Sequence, residues 1–467
     1  MSVPNDPSGS ALQPTPPDGN WYTEHTALLI STFKWTLLGA GAGLCVGLAT
    51  RGFLWVLRAV AVPLAALPRA GVQVYWLLPL ALPLCVWLIR TFASEARGHG
   101  TEAVIAAVHQ RSGRIDWLIA PVKLLATVLT LSCGGSVGKE GPAAQIGAAL
   151  TSLCADLLRL NERDRRNLVI CGISAGFAAV FGTPVSGALF GLEVLYLGSL
   201  EYALIFPALV AGIVAHLVCG QHPPVTVLPQ SMATLSQLRL VLVSLLSGLV
   251  FGLIALLLIE TLRVFERLLR RWRAHPYWLA LLGGVALIGL YTLAGERYAG
   301  LGTDSIEAVL AGTLMLGSSA FLIKILATTM TLETGGSGGI LTPIFFIGAT
   351  AGAALAPWLG VAPAMLAAFG FFAVLAAAAN TPVAATVMAI EVLPSSIGVY
   401  AALAAVTAYL MVGHRSVYGS QKLGLSKSAG LEVPLGLAIG AVDRSQLRIR
   451  KGSLTEQVHR LGRRGDE

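Results

Sequence analysis

Charged side chains are scarce in this chain of 467 residues. Asp, Glu, Lys and Arg together make up 12% of it, about half the share of a soluble domain, which excludes a molecule wetted on all sides. Signatures of soluble-type hydrolases are missing too. No HExxH or paired-carboxylate pattern occurs, which argues against an intramembrane enzyme built on His99 or His109 with Glu140. The six cysteines, at 45, 85, 133, 154, 171 and 219, form no CxxC pair. They read as small core residues, neither ligands nor disulfide partners. Residues 1–24 are polar and proline-rich, with no basic stretch leading into an apolar one, so no cleavable signal is expected and the tail reads as disordered.

Long apolar runs are what the chain has instead. Hydrophobic residues make up 55% of it, mean hydropathy is +0.74, and apolar stretches recur at 27–49, 74–90, 168–198, 203–219, 238–259, 277–294 and 362–412. Several exceed the roughly 20 residues that cross a bilayer as a helix. The fold class is therefore an all-α polytopic membrane protein, with early helices expected at 27–49, 52–67 and 74–91. The net charge of +8 does not point to nucleic acid. The basic residues cluster at the ends of apolar segments and in the tail (Arg444, Arg448, Arg450, Lys451, Arg460, Arg463, Arg464). Such a distribution places the C-terminus in the cytoplasm, where the tail is either a solvated face or touches anionic headgroups.

One stretch stands out, GGSVGKEGPAAQIGA at 134–148. Glycines lead past Lys139 and Glu140 into an apolar helical pattern through Pro142, a residue tolerated in the first turn of a helix. Free N–H groups and the positive end of the helix dipole make such a start an anion site. A carboxylate at that point, Glu140, is a candidate plug for the same site.

The pattern then repeats. LIKILATTMTLETGGSGGILTP (322–343) matches PVKLLATVLTLSCGGSVGKEGP (121–142) at an offset of 201, pairing Lys123 with Lys324, Thr130 with Thr331, Gly134-Gly135-Ser136 with Gly335-Gly336-Ser337 and Pro142 with Pro343. TPVSGALFGLEVL (183–195) matches TPVAATVMAIEVL (381–393) at an offset of 198, and GHGT (98–101) has an echo in GLGT (300–303). Apolar composition alone does not reproduce polar, Gly and Pro positions, so this is an internal duplication. Gly/Pro-interrupted segments at matching places in two halves point to a midplane site between them. Irregular backbone at that depth survives only where protein buries it or it lines a cavity. The interrupted segments 98–102, 134–142 and 335–343 would aim helix starts at one small anion.

These motifs resemble the CLC family of chloride channels and proton-coupled chloride transporters. GKEGP (138–142) is similar to that family's GREGP motif, GGILTP (338–343) to its GGxFxP motif, and GHGTE (98–102) stands where its GSGIP motif belongs. The resemblance covers roughly residues 30–420 and implies an inverted-repeat fold, a homodimer with one anion pathway per subunit, and chloride as the transported ligand, with no other cofactor. By motif position it makes Glu140 the gating glutamate. It assigns anion binding to His99, Gly100, Thr101, Lys139, Gly141, Gly339, Ile340, Leu341, Thr342 and the hydroxyl of Tyr418. A prokaryotic member without a regulatory domain belongs in the bacterial inner membrane.

Three positions depart from the family pattern. His99 replaces the usual serine or proline of the central site. Leu341 replaces a phenylalanine, and Val194 stands where many exchangers carry an inner proton-transfer glutamate. The last tilts the reading towards passive chloride conduction over proton-coupled exchange. A fluoride-handling member is a further variant, against which GGILTP and Tyr418 look like the chloride pattern. Other readings stay open. Glu140 is a gate or a structural carboxylate paired with Lys139. Lys123 lends electrostatic support to the anion or snorkels to an interface. His99 donates to the anion or points aside. Glu193 and Glu391, beside matching Thr-Pro helix starts, read as capping residues. The expected organisation is a tail (1–24), a first repeat (25–220), a connection (221–237), a second repeat (238–420) and a basic tail (421–467).

Overall fold

A computed structural model of the protein describes residues 21–64, 66–67, 71–221, 235–443 and 446–457. Most of the N-terminal tail, the centre of the connection and the end of the basic tail thus lie outside the described residues. Sixteen α-helices occur among the described residues, and they fall into two matching series. The first is α1 (Trp21–Leu64), α2 (Leu78–Phe92), α3 (Thr101–Gln110), α4 (Ile119–Ser132), α5 (Glu140–Leu157), α6 (Glu162–Phe181), α7 (Pro184–Glu193) and α8 (Ile205–Cys219). The second is α9 (Gln237–Leu269), α10 (Pro276–Ala294), α11 (Thr303–Leu310), α12 (Ala320–Glu333), α13 (Leu341–Leu359), α14 (Pro363–Ala379), α15 (Pro382–Val392) and α16 (Ser395–Met411). Each helix has its counterpart eight places on.

Six helical segments are long and apolar enough to cross a bilayer, among them Tyr22–Leu64, Gln237–Ala274 and Leu341–Leu359. Apart from α5 and α6, with 18 and 20 residues, the other helices are too short. At 1.5 Å per residue, the 10 residues of α3 or α7 rise only about half of a 30 Å hydrocarbon core. Such half-helices end inside the protein, as the duplicated Gly and Pro positions require.

Two details differ from the sequence reading. The helices expected at 27–49 and 52–67 are one helix, α1. It continues through Arg51, whose guanidinium reaches the Val218 carbonyl at 3.5 Å. Residues 21–24, read with the tail, form its first turn. Conversely, the apolar runs 168–198 and 362–412 are cut into two and three helices. Gly182 (φ +72°) ends α6 and Asn380 (φ +55°) ends α14, both left-handed, and a Thr-Pro pair restarts the chain each time.

The two halves complete one another. Glu193, at the end of α7, accepts the N–H groups of Val383 and Ala384 at the start of α15 (3.0 and 2.8 Å). Glu391, on α15, accepts those of Val185 and Ser186 at the start of α7 (3.3 and 3.0 Å). Helix starts leave N–H groups without intrahelical partners, and here each is satisfied from the other repeat. The capping reading of these glutamates fits this geometry. Near the centre, Ser136 N–H donates to the Thr331 hydroxyl and Ser337 N–H to the Thr130 hydroxyl, both at 3.1 Å. The chain after α16 is folded onto one face. β1 (Tyr196–Leu197) pairs in parallel with β2 (Lys422–Leu423), and β3 (Leu431–Glu432) pairs antiparallel with β4 (Arg448–Ile449).

Candidate functional site

Two of the interrupted segments meet as a reciprocal pair. Gly138 N–H donates to the Gly339 carbonyl and Gly339 N–H to the Gly138 carbonyl, each at 2.6 Å. A two-way bond of this kind puts the two loops antiparallel across a pseudo-two-fold axis, so α5 and α13 start beside one another. The third loop closes in from α3. A Cβ on Gly141 would run into the His99 carbonyl, and one on Gly100 would lie 2.7 Å from the Gly141 carbonyl. Gly100 also sits at φ +83°, where an L side chain is strained. Three chain segments converge because glycine lets backbone approach backbone.

Glu140 stands at this convergence, 3% exposed, as the first residue of α5. One carboxylate oxygen accepts the Thr342 N–H at 3.2 Å, and the Thr342 hydroxyl lies 2.7 Å from both oxygens. Its partner is thus the first turn of α13 in the other repeat. Lys139 makes no ion pair with it; the Lys139 side chain lines the same vestibule instead. Two helix starts, each with the positive end of a dipole, focus on one negative group. The arrangement fits a small anion, for which the carboxylate is a stand-in.

A cavity of about 770 Å³ opens onto Glu140, Lys139 and Thr342, with Arg58, Asp304 and Glu307 on its walls. A second, of about 670 Å³, reaches Gly98, His99 and Glu102 from elsewhere, bounded by Arg97, Glu266, Arg273 and Glu333. The convergence point lies between the two vestibules. Within it, His99 Nδ1, Thr101 Oγ1 and Tyr418 OH are buried without hydrogen-bond partners. The His99 and Tyr418 rings meet edge-on, 6.2 Å between centroids. Hydrogen-bonding capacity buried and unspent is rare in folded proteins, and these groups fit a ligand that accepts donated protons. Ile340 and Leu341, fully buried, stand at the start of α13.

Lys123 is not at the convergence. It is 0% exposed, and its ammonium donates to the carbonyls of Ala96 (3.0 Å) and Gly98 (2.6 Å). Lys324 does the same for Tyr298 and Gly300 (3.0 and 2.9 Å). Each lysine secures the chain leading into a half-helix, and neither snorkels to an interface. The positive charge of Lys123 sits behind the 98–101 loop. Val194 is wholly buried, and its carbonyl accepts from the Gln421 amide at 3.1 Å.

Sequence reasoning placed the three loops but missed two features. Neither the bond of the Thr342 hydroxyl to Glu140 nor the pairing of Glu102 with Ser420 (2.8 Å from the N–H, 2.6 Å from the hydroxyl) was foreseen. Glu102 carried a signal, since an acidic residue stands in the first turn of α3 where apolar surroundings make a carboxylate expensive.

Against known proteins, the family described as voltage gated chloride channel matches residues 81–413. The chain belongs to that family. Among its CLC relatives, a chloride/fluoride channel protein of Pseudomonas syringae pv. tomato is 37% identical over 86% of this chain and 90% of its own length. The voltage-gated ClC-type chloride channel ClcB of Escherichia coli is 28% identical over 79% of this chain and 85% of its own. Among solved structures, a CLC-type fluoride/proton antiporter superposes with a TM-score of 0.77 at 28% identity, covering 84% of this chain and 98% of that one. A slow cyanobacterial Cl⁻/H⁺ antiporter, at 21% identity, shares the fold with a TM-score of 0.69. This chain is thus a CLC-type anion transport protein with the inverted-repeat membrane fold. Its relatives are named both as channels and as exchangers, and none of these names is an enzyme's.

Proposed function

We propose that this CLC protein moves a small halide through the convergence of α3, α5 and α13, with Glu140 as the gate. The observation that carries the reading is the Glu140 carboxylate held by the N–H and hydroxyl of Thr342 where two helix starts meet. Deprotonated, it competes with the halide; protonated, it is released from two positive dipole ends and frees the path. His99, Gly100, Thr101, Lys139, Gly141, Gly339 to Thr342 and Tyr418 would line the route.

Chloride is the first expectation, and the names of the Pseudomonas relative and of the fluoride/proton antiporter add fluoride. Val194 supports uncoupled passage, since it offers no proton carrier, unless another carboxylate serves the same face. The C-terminal segment lies on the His99 side. Arg166 there bonds Glu201 and the Tyr196 hydroxyl, and Arg111 and Arg273 border the His99 vestibule. Basic residues gathered on one face make it the cytoplasmic one. A homodimer in a bacterial inner membrane completes the reading.

The test is efflux of chloride and of fluoride from proteoliposomes, with proton uptake recorded, for wild type and Glu140→Ala. Halide efflux in both, with any acid dependence lost in the variant, supports the gate. If neither protein moves either halide, the assignment fails.

A further inference from the structure

Four carboxylates border the His99-side vestibule, from Glu95, Glu102, Glu266 and Glu333. Three of them are neutralised. Arg111 holds Glu95 at 2.5 and 2.8 Å, and Arg273 holds Glu333 at 2.9 Å and Glu266 at 3.4 Å. Glu102 makes no ion pair. One of its oxygens accepts both the N–H and the hydroxyl of Ser420, while the other, Oε2, is buried with no hydrogen-bond partner.

A buried carboxylate oxygen without a donor favours the protonated form of the group. Protonation at Oε2 leaves the bonds to Ser420 intact, because Oε1 remains an acceptor. The group can therefore charge and discharge without disturbing the loop that carries Tyr418. Its place is also apt. Glu102 lies in the first turn of α3, three residues beyond His99, on the vestibule opposite the one that Glu140 faces. The titratable and charged groups around it are His99 and Tyr418 from the loops, Glu95 and Arg97 before α3, Arg111 after α3, and the Arg273 cluster with Glu266 and Glu333.

We propose that Glu102 is a proton-binding group of the transport cycle, loaded from the His99-side vestibule that the residue lines and unloaded into the pathway towards Glu140. It would supply, from α3, the carboxylate that position 194 lacks. No covalent bond other than the O–H is made or broken. The proposal rests on the halide-transport reading and extends it to proton coupling.

The experiment uses the full chain in proteoliposomes with an imposed chloride or fluoride gradient, recording halide and proton movement together. Glu102→Gln keeps an oxygen for Ser420 but cannot carry the proton. It should pass halide within about threefold of wild type while halide-driven proton movement falls by about tenfold or more. Ser420→Ala, which removes one donor and leaves the carboxylate, should keep its proton-to-halide ratio, separating proton binding from the structural tie. An unchanged ratio in Glu102→Gln overturns the proposal, as does a wild type that passes halide with no proton movement. If the wild type passes no halide at all, the transport reading falls and this proposal falls with it.

Discussion

At the scale of single residues, the contact that holds the Glu140 carboxylate is the one with Thr342. A hydrogen bond to a charged group contributes about 1.5–3 kcal/mol, and the Thr342 hydroxyl supplies one at 2.7 Å. Thr342→Ala keeps the N–H donor and deletes this one. Halide flux at neutral pH is expected to rise, by on the order of tenfold if the gate limits transport. A fall in flux would instead show that the hydroxyl serves the passing anion more than the carboxylate. Glu140 itself was legible in the sequence, because a carboxylate between glycines in apolar surroundings is expensive unless it is used. Its partner was not. Thr342 is 202 positions away, and no local pattern says which of many buried threonines turns its hydroxyl inward. Lys123 was half legible: its burial and its recurrence as Lys324 were on view, but the two carbonyls that take up its charge are a matter of how the preceding loop is folded.

At the scale of elements, the short helices are stabilised from outside themselves. Helices α7 and α15 have 10 and 11 residues, below the length at which isolated helices hold together in water. Their starts are capped by Glu391 and Glu193 through paired N–H bonds. Losing a cap costs about 1 kcal/mol, so Glu193→Gln and Glu391→Gln should each lower the melting temperature in detergent by about one degree. The Glu193 variant should lose more, because Glu193 is 5% exposed and its two bonds are shorter than those of Glu391. Equal, negligible shifts would show that neither cap contributes. The sequence displayed the helix starts through Thr-Pro, and the caps through their symmetry. It concealed where a continuous apolar run breaks and where it does not. Arg51 and Gly52 lie within an unbroken α1, whereas Gly182 and Asn380 end helices, and the difference is a left-handed backbone turn, which glycine or asparagine permits but does not compel.

At the scale of the whole molecule, two vestibules of about 770 and 670 Å³ approach a thin region made of three helix starts. A ligand bound there joins elements of both repeats and stabilises the assembled state by mass action, by about 2.7 kcal/mol at a concentration a hundred times its dissociation constant. Replacing gluconate with chloride or fluoride at constant ionic strength should therefore raise the melting temperature of the detergent-solubilised protein. The more strongly bound halide should raise it more. No shift with either halide would argue that the convergence of loops is architecture alone. The duplication, the three broken segments and the membrane fold were all readable at this scale, because they are written as repeated Gly, Pro and polar positions. The two vestibules were not, since their walls combine residues as distant as Arg58 with Glu307 and Glu95 with Glu333.

The reciprocal caps also set a timetable for biosynthesis. Val383, which Glu193 caps, lies 190 residues further along the chain. At roughly 5–20 residues per second, the ribosome needs on the order of 10–40 s to make that stretch. Throughout this interval the first half sits in the membrane with a buried carboxylate facing no donor and α7 beginning without its cap. It cannot settle early. The nascent first half must be sheltered, by the insertion machinery or by lipid headgroups, until its mirror image arrives, and truncated chains ending before position 383 should be cleared by quality-control proteases instead of accumulating as half-transporters.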